Sequence, residues 1–157
     1  MKMSQFKKLV GEVRHVGRVL MSGGPEDCCQ LDVLVVRDSD NGEVIRMVNV
    51  IVPNAIHEVL KPGEIGQLEI LMLNYPKPFG SAARYFVLRL ESANEWIDGT
   101  SNVKAWVQGS KGAALHFLWF GLILMPAFGF GLLLWICAAR LLALNVPRAV
   151  AVSSQRG

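Results

Sequence analysis

The sequence predicts a mainly β protein: a small five-stranded barrel in the element order β-β-β-α-β-β, followed by a C-terminal transmembrane helix. Three observations predict it. Between residues 9 and 92, short stretches alternate apolar and polar residues and are separated by turn signals. The first stretch has glycine at positions 11 and 17, both on its apolar face, as a sharply bent strand would. From residue 113 to 144 the chain is apolar on every side, and about 20 such residues span a bilayer.

The elements follow in order. "LVGEVRHVGRVLM" (9–21) puts Leu9, Val13, His15, Val19 and Met21 on one face and Glu12, Arg14 and Arg18 on the other, so the first set is expected inside. "SGGPED" (22–27) is a turn and "CCQLDVLVVRD" (28–38) a second strand. "DSDNG" (38–42) is a hairpin signal, and "EVIRMVNVIV" (43–52) is the third strand. Asp38, Asp40 and Asn41 also begin like a calcium loop, but Glu43 and a strand follow Gly42 at once, so the spacing is that of a turn. Pro53 ends the strand, and "NAIHEVLK" (54–61) reads as a short helix capped by Asn54 and stopped by Pro62 and Gly63. "IGQLEILMLN" (65–74) is the fourth strand, "YPKPFGSAA" (75–83) a loop, and "RYFVLRLES" (84–92) the fifth strand.

A bent first strand and a helix between the third and fourth strands resemble the OB-fold, a five-stranded Greek-key barrel. The resemblance is one of pattern and covers residues 9–92. The expected division is an OB-like domain (1–92), a polar connector (93–112), a transmembrane segment (113–144, core 116–139) and a short basic tail (145–157).

Two tryptophans support the span. Trp119 and Trp135 are separated by 16 positions, about 24 Å along a helix, which would seat one at each interface of a hydrocarbon core of about 30 Å. Lys111 and Arg140 would then lie in the two headgroup layers. Pro126 predicts a kink, and Ala127 with Gly131 forms a small-xxx-small pair suited to helix association. The run of 32 residues is longer than one span needs, so a hairpin bent at "PAFGFG" and returning to its own side is the alternative. The start, "MKMSQFKKLVGEVRH", has no apolar core of a signal peptide, which places the barrel on the cytosolic face in a single-pass, tail-anchored arrangement.

The net charge of +3 is unevenly spread. All 13 acidic residues and 12 of the 16 Lys and Arg precede residue 111, a net of −1, whereas Lys111, Arg140, Arg148 and Arg156 have no acid beside them. A near-neutral domain argues against nucleic acid as the partner. Cys28 and Cys29 are adjacent strand residues, with a redox pair as the minor reading. His15, His57 and His116 lie far apart, and no catalytic motif, metal-ligand spacing or cofactor fingerprint occurs.

The expected function is a non-enzymatic, membrane-anchored adaptor whose barrel binds another protein or a second copy of itself. The alternative is a membrane-tethered module for single-stranded nucleic acid. The surface residues expected to bind are Arg46 and Asn49 on the third strand, with Tyr75, Lys77, Phe79 and Arg84 around the loop of the fourth. The bilayer is the second expected partner, met by Lys111, Trp119, Trp135 and Arg140.

Overall fold

The computed structural model describes residues 4–22, 26–77, 80–93, 95–128 and 130–143. Its elements are β1 (Ser4–Val16), β2 (Val19–Ser22), β3 (Cys28–Asp38), β4 (Val44–Pro53), α1 (Asn54–Val59), β5 (Ile65–Lys77), β6 (Gly80–Ser92), β7 (Trp96–Asp98), α2 (Thr100–Phe128) and α3 (Phe130–Leu142). Five strands close a barrel in the order β1-β5-β6-β4-β3, with β3 returning to β1. β2 and β7 lie outside the closed ring, on β3 and β6 respectively. All pairings are antiparallel except β4 with β6, which run parallel and pair only at Val50 with Tyr85 and Ile51 with Phe86.

The bent first strand closes the ring. Residues 4–12 of β1 pair with β5, and residues 11–16 pair with β3. At Arg14 the register with β3 slips between Val13 and His15. This bulge shifts the alternation by one residue. Leu9 and Val13 are buried as expected, but His15, Val19 and Met21 face outward, and Val16 turns toward the core instead. The strand also ends at Val16 rather than running to residue 21. The Gly17 N–H donates to the Val33 carbonyl at 2.8 Å, and a Cβ on Gly17 would collide with Asp32 and Val33.

Two apolar clusters use the two sides of the barrel wall. Inside lie Leu9, Val13, Leu31, Leu34, Met47, Val50, Leu68, Val87 and Leu90, closed at one end by Ile56 and Leu60 from α1 and the residue after it. Outside, Ile51, Leu71, Leu73, Phe86 and Leu88 are covered by Val103, Trp106 and Val107 of α2 and by Leu141 of α3. α2 can lie this close because Gly99 precedes it, where a Cβ would strike Pro53. Asp98 caps the helix, accepting the Thr100 N–H at 2.9 Å.

Asn54 does not cap α1: it is the first helical residue, its N–H and side-chain amide both given to Asp27, at 3.0 and 2.7 Å. The stretch 75–83 is mostly strand, because β5 and β6 stay paired out to Lys77 and Gly80. The stretch read as a polar connector holds β7 and the first turns of α2. Finally, residues 113–144 do not form one long kinked span. α2 is helical through Pro126 to Phe128, α3 starts at Phe130, and α3 packs back along α2. The Trp135 indole N–H donates to the Leu118 carbonyl at 3.2 Å, and Leu141 reaches the cluster of Trp106 and Val107. Among the described residues, no helix is long and apolar enough to cross a membrane.

Candidate functional site

Two surfaces stand out, one on each part of the chain. The first is a cleft of about 220 Å³ in the barrel wall. It is lined by Leu9, Ile45, Met47, Ile70, Met72 and Tyr85, with Gln5 and Lys7 beside them. Its origin is topological. β4 and β6 touch at one point only, so the wall opens on the side of that point where Ile45 and Met47 lie. Asn49 sits just before the contact with its backbone in the left-handed region at φ 55°, a conformation that asparagine adopts more readily than most residues.

The second surface is the far part of the α2–α3 hairpin. Its seam is made of small residues: Ala114, Gly121, Cys137 and Ala138 are buried. Many of its described large side chains point out. Leu115, Phe117, Trp119, Phe120, Leu122, Leu132, Trp135, Ile136 and Leu142 are 40–67% exposed. Leu118, Trp119, Leu122 and Trp135 together line an open apolar groove.

The expected site residues divide accordingly. Arg46 is exposed on β4, and Asn49 and Arg84 come to the point where β4 and β6 part. Tyr75 and Lys77 lie on β5, but their side chains, and all of Phe79, fall outside the described residues; Ala127 and Gly131 are helical, and their packing falls outside what is described. The chain reverses between Trp119 and Trp135, and they line one groove. The same reversal brings Lys111 and Arg140 toward one end of the hairpin, the end next to the barrel. Residues 5, 7, 45, 47 and 72 of the cleft had no signal in the sequence. They belong to three strands, β1, β4 and β5, and only the closed ring brings them together.

Cys28 and Cys29 are both free and buried, and they point to opposite sides of β3, one into the outer cluster and one into the barrel. Burial, then the neighbouring Cys29, Asp27 and Glu26, pushes the Cys28 thiol up to about 12. Burial also raises Cys29. Neither is a ready thiolate.

One ionic network lies on the barrel's outer face. Arg89 contacts Glu69 at 3.2 Å and Asp98 at 3.3 Å, and Lys8 reaches Glu69 at 3.5 Å. Burial tends to raise the Asp98 pKa, but its bonds from Thr100 and Arg89 outweigh this and hold the carboxyl below its ordinary value. The network ties β1, β5, β6 and β7 to the start of α2, a structural role. Among the described residues, no group of three or more His, Cys, Asp or Glu could hold a metal ion. The chain matches no family model, no curated protein and no solved structure.

Proposed function

We propose that the protein is a non-catalytic adaptor held at a membrane face, with the helical hairpin dipping into one leaflet and the OB-like barrel kept at the surface to bind another protein. The observation that carries this reading is the inverted packing of the hairpin, small residues inside and large apolar ones outside. In water a helix pair buries its large side chains; against lipid it need not, and small residues let the helices approach. Moving a Leu or Phe side chain from water into an apolar phase is worth roughly 1.5–3 kcal/mol, so nine half-exposed ones favour insertion strongly. From Ala113, α2 continues for 16 residues to Phe128, about 24 Å, which passes a leaflet of about 15 Å and falls short of the full core of about 30 Å. Lys104 and Arg140 are exposed near the barrel end, suited to anionic headgroups.

Flotation with phosphatidylcholine–phosphatidylserine vesicles tests the reading. The full chain should rise with the vesicles, and the Trp119→Glu, Phe120→Glu variant should stay behind with its barrel still folded. A variant that floats as well as the original refutes insertion through this surface.

A further inference from the structure

We propose that the cleft beside β4 takes an extended peptide segment of a protein partner, added as a strand along Val44–Val48, with apolar side chains entering the cleft and acidic ones at its rim. The proposal rests on reading the barrel as a protein-binding module, and it names the class of partner.

Four observations converge. First, β4 is paired along its length with β3, but among the described residues its other edge is paired only at Val50 and Ile51. The backbone of the preceding residues therefore has donors and acceptors to offer another strand, the feature that proteins usually blunt. Second, the cleft opens along that edge, and Ile45 and Met47 of the same strand line it. A strand added there would send alternate side chains into it. Third, its volume of about 220 Å³ is below the roughly 300–1,000 Å³ of small-molecule pockets and suits one or two apolar side chains. Fourth, among the described residues no acidic one lines the cleft, Lys7 does, and Arg46 stands exposed on β4. Val44 and Val48 flank Arg46 and are 59% and 45% exposed, so this stretch of β4 is open to an incoming strand.

A second copy of the chain fits less well. Two Val44–Val48 edges paired antiparallel about their midpoint would set Arg46 directly against Arg46, and like charges in that position repel.

The test uses the full chain in detergent micelles and a labelled peptide of alternating Val and Glu, with binding counted above that to empty micelles. The peptide should bind saturably. N-methylation of alternate backbone nitrogens, which removes strand donors, should weaken it at least about tenfold, equivalent to about 1.4 kcal/mol. Lys7→Glu with Arg46→Glu, both at exposed positions, should invert the preference toward a Val–Lys peptide while leaving the melting temperature in place. No binding, equal binding of the methylated peptide, or an unchanged preference in the double variant would each overturn the proposal. A rise in oligomeric state on dilution-resistant sedimentation without peptide would favour self-pairing and overturn it too. The same preparation is floated with vesicles. A chain that floats but ignores the peptide loses the cleft and keeps the anchor, and one that binds peptide but does not float loses the anchor alone.

Discussion

The barrel and the far half of the helical hairpin are both rich in apolar residues, yet they arrange them in opposite ways. In the barrel, large side chains such as Leu31, Leu34, Phe86 and Leu88 are fully enclosed, and the part of the outer wall formed by Ile51, Leu71, Leu73, Phe86 and Leu88 is covered by α2. In the hairpin, Trp119 is 67% exposed while Ala114 and Ala138 are fully buried. Hydrophobicity alone therefore says little about burial. What decides is whether the fold provides a second layer. β5 and β6 have one inside and one outside, whereas beyond residue 112 the described parts of α2 and α3 pack mainly on each other, with Leu141 reaching back to the barrel.

The largest contrast should come from placing a carboxylate in each region. Val13→Asp puts an unpaired charge inside the ring, where Val13 is 1% exposed. The cost of several kcal/mol is a large share of the roughly 5–15 kcal/mol that holds a typical domain. The variant should show no cooperative melting transition by circular dichroism. Leu115→Asp, in the hairpin, should leave the melting temperature in detergent nearly unchanged and reduce vesicle flotation. Similar damage from both would erase the distinction between the regions.

Arg89→Met comes next. It leaves Glu69 buried without its main partner, a loss of about 3–5 kcal/mol by chemical denaturation, because an uncompensated buried charge is worse than none. A loss below about 1 kcal/mol, the range of exposed pairs, would mean that the network is wetter than its burial implies.

A smaller effect is expected from pH. The folded-state pKa of Asp98 is depressed, so its contribution to stability is present above the ordinary aspartate range, near pH 3.9, and is lost as pH falls through the lowered folded value. Asp98→Asn should lower stability at neutral pH and flatten the acid limb below about pH 4. An acid limb of unchanged steepness would place the titrating group elsewhere. The smallest effect belongs to Arg14→Asp. Arg14 is exposed at the bulge and among the described residues pairs with the nearby Glu12 at 3.2 Å, so the loss should be about 0.5 kcal/mol or less.

Period-two alternation, with turns at residues 38–42 and 53–63, located the five barrel strands and the helix between the third and fourth. The bulge at Arg14 was hidden, because no glycine or proline marks it and a one-residue slip leaves composition unchanged. Val19 and His15 were accordingly assigned to the wrong face. The early start of α2 was legible in part: Val103, Trp106 and Val107 have helical spacing, but Gly109 and Gly112 among polar residues masked it. The chain reversal was one of two open alternatives, since 32 apolar residues fit either a long span or two short arms. The candidate cleft was not legible at all. Arg46, Asn49 and Arg84 were chosen from residue type and do not line it; that Asn49 and Arg84 come close depends on a parallel contact two residues long.

The proposed insertion requires the hairpin to enter and leave the membrane on the same side. Replacing Cys137 with Ala removes the one cysteine outside the barrel, and single cysteines can then be placed at Ser101 and Ala143 in vesicle-bound protein. An impermeant maleimide added outside should label both, because the two positions flank the barrel end of α2 and α3. Labelling at Ser101 with shielding at Ala143 would mean that the chain crosses the bilayer, and the inverted packing would need another explanation.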